Sequence, residues 1–186
     1  SMPHGILFWR SLTQWIGGLG IVCFTIVLLP GFGVSSQMLY LSEATGVTHS
    51  KICPKTRVMA RYIFMVYILL TAIESALLKV GGMGLFDAVC HSMTTTATGG
   101  FSTKQESIAY WHSPYIEYVV SLFMLLSAIN FSLYIIAVKG RWKQLWQNVE
   151  LKWFASSVGL LTLIVSVALI LSNGYGVEEA FRKSLF

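Results

Sequence analysis

The chain has very little charge. Of its 186 residues 11% are charged, thirteen basic and eight acidic, where a soluble domain carries about 25%. Hydrophobic residues make up 55% and the mean hydropathy is +0.67. So few charges cannot clothe a surface that meets water on every side, and the solvent implied is lipid. Cysteine is scarce too. Cys23 and Cys90 fall in apolar segments and Cys53 in a basic connection, a pattern that implies no disulfide framework. The groupings that catalysis needs are also missing: there is no nucleophile beside a base, no paired carboxylates and no metal-ligand spacing, which argues against an enzyme. Cys90 and His91 are neighbours, and adjacent helix residues point in different directions, so they do not share a metal. The net charge of +5 comes with no arginine-rich arm and no aromatic RNA-binding signature, so nucleic acid is not the expected partner. The N-terminal apolar run is too long for a cleaved signal peptide and lacks a small-residue cleavage site. The opening Ser1-Met2 reads as an edge cut from a longer chain.

What is present is four long apolar segments, at about residues 6–29, 58–80, 115–138 and 153–171. Each is long enough to cross a hydrocarbon core of roughly 30 Å, which takes about 20 helical residues. Basic residues orient them. Lys51, Lys55, Arg57 and Arg61 cluster around the connection before the second segment, and Lys139, Arg141, Lys143 and Lys152 around the one after the third. Residues 81–114 hold a single cation, Lys104, against Asp87 and Glu106. By the positive-inside bias the two basic connections are cytoplasmic and residues 81–114 face outward.

That outward stretch carries the sequence "GLFDAVCHSMTTTATGGF". It is too short to cross the membrane and return as two helices. Residues 85–93 suit a short helix reaching about halfway through the hydrocarbon, after which the threonines and glycines climb out as extended chain. Bare backbone at that depth is tolerated only inside protein or along a water-filled cavity. An uncharged, glycine-permissive loop at the end of a re-entrant helix offers carbonyls to a cation, and the negative end of the helix dipole favours one there. An ordinary extracellular loop remains the alternative. A phosphate loop does not, because "GGMGLF" lacks the lysine and Ser/Thr ending of the nucleotide motif.

The chain also repeats itself. "GMGLFDAVCHSM" (residues 82–93) aligns without gaps on "GYGVEEAFRKSL" (174–185), matching Gly82 with Gly174, Gly84 with Gly176, Ala88 with Ala180 and Ser92 with Ser184. More weakly, Ser11-Leu12 aligns on Ser121-Leu122 and Gly17-Gly18 on Ser127-Ala128. The implied unit is helix, re-entrant pore helix, filter, helix. The expected organisation is residues 1–30 as the last helix of one unit, 31–56 as a cytoplasmic connection and 57–138 as a whole unit. Residues 139–150 form a second connection, and 151–186 the first helix and pore-helix start of the next unit. Units repeating in the same direction favour a pore on an axis normal to the membrane over a secondary transporter, which uses inverted repeats.

The stretches "PHGILFWRSLTQWIGGLGI", "FDAVCHSMTTTATGGFST" and "NFSLY" closely resemble the Trk/Ktr/HKT potassium-transport superfamily, specifically the bacterial TrkH-type potassium uptake subunit. The resemblance implies an all-α integral membrane fold of helix–pore-helix–helix repeats, a pseudo-fourfold cation channel with a re-entrant pore loop. It implies a filter at Thr98-Gly99-Gly100-Phe101, with Gly100 as the family's key glycine and Thr95, Thr96 and Ala97 leading in below. Potassium, the permeant ligand and not a cofactor, would meet Thr95, Thr98, Gly99 and Gly100. A small-residue intramembrane gate would fall on Ser127, Ala128, Ile129, Asn130, Phe131 and Ser132. The family's usual pattern there has a glycine where this chain has Ala128, so a continuous helix with Asn130 bonded to a neighbouring helix stays open. The resemblance further implies the remaining repeats of a full-length chain, a homodimer, a cytosolic nucleotide-binding ring protein and multi-pass insertion in the bacterial inner membrane.

Other residues have several readings. Glu74, inside the second segment, attracts cations, pairs with a neighbouring helix or reaches the interface. Arg10 steadies the pore loop or snorkels, and His4 and His112 read as interfacial. Trp9, Trp15, Trp111, Trp142 and Trp146 are interface anchors or packing residues. The reading reached is a potassium-selecting, channel-like subunit; the alternatives are a non-conducting structural protein and a secondary cation transporter.

Overall fold

Apolar runs without internal proline make helices, and where the run is long the helix is too. In the computed structural model, α1 spans His4–Leu28 and α2 spans Thr56–Val80, each of 25 residues. At about 1.5 Å per residue each is about 37 Å long, enough to cross a bilayer core. The structure describes residues 2–28, 56–138 and 140–186. The connection expected at 31–56, with Lys51, Cys53 and Lys55, lies outside those residues apart from Thr56, as do Lys139 and the side chains of Cys23, Arg57 and Ser132.

Helix α2 stops where glycine lets it. Gly82 has φ +94°, its N–H donates to the Lys79 carbonyl, and the Met83 N–H reaches back to the Leu78 carbonyl. This closes a Schellman turn on a left-handed glycine. The short α3, Leu85–Thr96, follows immediately. A 3-10 turn, Ser107–Trp111, then leads to α4, Pro114–Ala128, which starts with proline in its first turn, where a missing N–H costs no bond. Helix α5, Phe131–Val138, and the short α6, Trp142–Gln147, come next. The 25-residue α7, Val149–Asn173, is capped by the Asn148 side chain, which accepts from the Leu151 N–H, and ends at left-handed Gly174. The last helix is α8, Val177–Leu185. The described residues are helical, with turns and loops between and no strand among them.

Helices α2, α3 and α4 share one apolar core built from Leu70, Leu78, Ala88, Ile116, Val120 and Phe123, with Ile108 of the 3-10 turn closing its end. The approach of α2 to α4 needs Gly81, where a β-carbon would lie 2.8 Å from the Tyr115 ring. Outside this core the helices are apolar on open faces as well: Trp153, Leu163 and Leu171 of α7 are 72%, 63% and 81% exposed. Among the described residues, two helices are long and apolar enough to cross a membrane by themselves, Arg61–Val80 and Val149–Ser172.

The aligned segments adopt the same local geometry. Gly84 and Gly176 cap α3 and α8 with nearly equal angles, φ −59°, ψ 145° and φ −61°, ψ 151°. Gly82 and Gly174 both have positive φ, and Ala88 and Ala180 are both wholly buried. The weaker pair agrees too: Ser11 and Ser121 are buried, each donating to the carbonyl four residues before it. Helix α1 packs on α3 as α4 packs on α8.

Candidate functional site

The site begins at the C-terminus of α3. The threonines expected to leave the helix are part of it: α3 runs through Thr96, where extended chain was expected from residue 94. The reason is local bonding inside a buried environment. Thr94 donates its hydroxyl to the His91 carbonyl at 3.0 Å and Thr96 to the Ser92 carbonyl at 2.8 Å, so each side chain is satisfied by its own helix. Thr94, Thr95 and Thr96 are all buried. The helix then closes as α2 does. The Thr98 N–H donates to the Thr95 carbonyl at 2.9 Å and the Gly99 N–H to the Thr94 carbonyl at 2.8 Å. The left-handed position of this second Schellman turn is held by threonine, Thr98, with φ +54°. A β-branched residue there costs about 1–2 kcal/mol relative to glycine. Gly100 follows with φ +70°.

The turn leaves α3's dipole aimed at a loop whose polar atoms are open. Thr98, Gly100 and Phe101 are exposed. Among the described residues no donor reaches the carbonyls of Thr98, Gly99 or Gly100. The Thr95 carbonyl has one lone pair engaged, and the Ala97 carbonyl accepts from the Thr98 hydroxyl at 2.7 Å. The outer side of the loop is tied down firmly. The Thr94 hydroxyl, besides its helix bond, reaches the Phe101 carbonyl at 2.9 Å. His91 joins the Asp87 carbonyl at 2.7 Å and the Ser102 hydroxyl at 2.9 Å, its ring edge-on to Trp111. Asp87 accepts from Thr103 at 2.6 Å and pairs with Lys104 at 3.2 Å. Helix α1 adds Arg10, whose guanidinium donates to the Ser102 carbonyl and lies 5.2 Å from the centre of the Phe101 ring. Of the two readings for Arg10, it steadies the loop.

Behind α3 lies a polar seam. Trp15 donates to Thr71 at 3.0 Å, Thr71 to Thr96 at 3.2 Å, and Tyr67 to the Trp15 carbonyl at 3.0 Å. Glu74 is wholly buried with Thr95 beside it, and among the described residues neither of its carboxylate oxygens has a hydrogen-bond partner of ordinary geometry. No part of it is exposed, and no described cation pairs with it. His4 packs against Phe86 with ring centres 4.5 Å apart and planes tilted by 54°, while Trp9, Trp142 and Trp146 stay largely exposed. His112 ends the 3-10 turn in the left-handed region.

The helix after the loop is broken. Helix α4 ends at Ala128, Ile129 is extended at φ −72° and ψ 138°, and α5 starts at Phe131. A glycine is not required, because none of these residues needs positive φ. The Leu126 carbonyl, freed of its usual partner, accepts from the Ile129 N–H at 3.2 Å and from the Tyr134 hydroxyl at 2.6 Å. The Asn130 amide lies 3.5 Å from Glu150 at the start of α7, and Ala128 and Asn130 are exposed. Ser127 is buried, and no described group bonds its hydroxyl. The continuous-helix alternative is set aside by this geometry.

The structure therefore brings Thr98, Gly99, Gly100 and Phe101 together in one open loop, with Thr95, Thr96 and Ala97 in the helix end and its cap. The break, at Ile129 and Asn130, lies in the next apolar segment. Sequence reasoning missed Gln14, Asp87, His91 and Tyr134 as supports. Only the i, i+4 spacing of Arg10, Gln14 and Gly18 on one helix face hinted at a common neighbour.

A family model described as TrkH, a cation transport protein, matches residues 1–174. The Trk system potassium uptake protein TrkH of Escherichia coli (strain K12) is 37% identical over 188 residues, covering 97% of this chain and 39% of that protein. TrkG of the same strain is 35% identical, covering 100% and 39%. The crystal structure of the potassium transporter TrkH from Vibrio parahaemolyticus matches with a TM-score of 0.81 at 31% identity, covering 100% of this chain and 37% of that one. The chain thus spans about two-fifths of the length of these relatives. The re-entrant helix and its left-handed loop sit in a sequence that the family model matches over nearly its whole length, and the chain belongs to the TrkH family of cation transport proteins.

Proposed function

We propose that this chain forms part of the pore of a channel-like potassium uptake subunit. It supplies one of four filter strands and one intramembrane gate. The observation that carries the reading is the pair of left-handed residues, Thr98 and Gly100, at the C-terminus of the short α3, with no described donor on the Thr98, Gly99 and Gly100 carbonyls. Carbonyls at that place replace water around a dehydrated cation, and the helix dipole adds to the attraction. Potassium is the ion by similarity to the named relatives. Thr98, Gly99 and Gly100 coordinate it, and Thr95 does so from the helix end through its remaining lone pair. The break at residues 127–132 is the gate beneath.

Residues 57–138 make a whole unit in this reading, with the last helix of one unit before it and the start of another after. The complete subunit has four such units around a pseudo-fourfold axis, spans the inner membrane many times and pairs as a homodimer. A cytosolic nucleotide-binding ring protein regulates it. The test is uptake by cells lacking their own potassium systems and expressing the complete subunit. Growth at low potassium and sodium-resistant uptake of rubidium or potassium support the reading. Normal insertion without cation flux favours a non-conducting structural role.

A further inference from the structure

The two neighbouring glycines of the loop are needed for different reasons. Gly100 has φ +70° with nothing near its missing β-carbon, so its requirement is conformational. Gly99 lies outside the positive-φ region, yet a β-carbon there would lie 2.9–3.0 Å from the side-chain amide of Gln14. The contact is steric and is made by the amide end of a side chain from α1, more than eighty residues earlier in the chain, so it restricts Gly99 only as far as Gln14 is held in place.

Gln14 is one of three contacts in register. Arg10 engages Ser102 and Phe101, Gln14 abuts Gly99, and a β-carbon on Gly18 would lie 3.1–3.2 Å from Ala97. Residues 10, 14 and 18 are one face of a helix, stepping about 6 Å each four residues. Residues 97, 99 and 101 follow one another through the turn that Thr98 and Gly100 make in the left-handed region. The helix face and the loop therefore meet at three places, running in opposite directions. At the middle place the Gln14 Oε1 is buried and, among the described residues, has no hydrogen-bond partner. A buried polar atom left so calls for an explanation, and the neighbour set against this side chain is the Gly99 backbone.

We propose that Gln14 is a positioning residue of the filter, a steric stop that holds the Gly99 backbone at the distance from the pore axis that distinguishes potassium from sodium. The proposal rests on the reading of residues 98–101 as a filter. It differs from a general packing role in predicting compensation between one pair of residues. Filling the contact from the loop side and emptying it from the helix side displace Gly99 in opposite directions, so the two changes together cancel.

The experiment measures potassium uptake in competition with sodium for the complete subunit, with membrane levels checked for each variant. Gly99→Ala lowers the potassium-to-sodium preference about tenfold, as overpacking of a tight contact does. Gln14→Ala, which removes the stop, lowers it about threefold. The double variant recovers to within about threefold of the parent, where independent effects would multiply to about thirtyfold. Gln14→Met, which keeps the volume without the amide, restores the preference lost in Gln14→Ala. A double variant no better than Gly99→Ala alone, or a Gln14→Met as poor as Gln14→Ala, overturns the proposal. Gly100→Ser runs alongside. If it loses selectivity while the Gln14 and Gly99 changes simply multiply, the filter stands and the stop does not. If Gly100→Ser keeps the parent preference, the filter placement falls and the stop with it.

Discussion

The hydroxyl of Thr94 donates to the carbonyl of Phe101 at 2.9 Å, so the last helical turn of α3 and the far side of the loop are clasped by one side chain. Everything between, from Thr95 to Gly100, is thereby a closed loop whose inner carbonyls stay open while its two ends are fixed. Its single proton is shared with the His91 carbonyl of its own helix, and the His91–Ser102 and Asp87–Thr103 bonds tie the same helix to the loop further along.

Breaking that clasp without changing shape is a clean test. Thr94→Val keeps the volume and removes the donor, leaving the Phe101 carbonyl without it. A lost hydrogen bond of about 1 kcal/mol corresponds to about fivefold in any equilibrium that depends on it. Thr94→Val is expected to lower potassium preference by about that factor, and Thr94→Ser to retain most of it. Ion-competition uptake with membrane levels measured in parallel decides between them.

Gly100→Ser acts on backbone angle. With φ +70° and open space around it, the added side chain meets no neighbour, but its conformation disfavours the left-handed region by about 1 kcal/mol or more. The Gly99 and Gly100 carbonyls tilt, and the preference for potassium over sodium narrows while insertion stays normal. Thr103→Ser keeps the hydroxyl that Asp87 accepts and has little effect by comparison. Competition uptake on both variants is the measurement, and an unchanged Gly100→Ser places the filter elsewhere.

The helix break makes its own prediction. Shortening residues 127–132 in the complete subunit is expected to raise flux without help from a cytosolic partner. Tyr134→Phe removes the 2.6 Å bond to the Leu126 carbonyl that satisfies the broken end. It shifts the opening equilibrium by about fivefold, the worth of one hydrogen bond. Single-channel open probability reads both, and no change in either, at normal expression, removes the gate from this segment.

Residues 1–186 contain one loop of the proposed filter, at 95–101. Reconstituted in liposomes they are expected to give no selective potassium flux, because one strand cannot replace an ion's hydration shell. Robust selective flux from this chain by itself means self-assembly and refutes the four-unit account.

Much of this was legible in the sequence because it depends on neighbours along the chain. Apolar run lengths mark α1, α2 and α7, and Gly82, Gly84, Gly174 and Gly176 mark the same turn twice. Gly100 was singled out through the family resemblance, and the left-handed angle found there is one that glycine adopts freely. Tertiary structure alone decided three things. It kept Thr94, Thr95 and Thr96 helical, because burial and bonds to the preceding turn outweigh a weak helix propensity. It placed a threonine, Thr98, in the left-handed position that α2 gives to Gly82, a strain held by the clasp at Phe101 and the hooks at His91 and Asp87. And it set Gln14 against Gly99 and Tyr134 under the break at Ile129. No local pattern predicts such contacts, because what selects them is the fit between surfaces far apart in the chain.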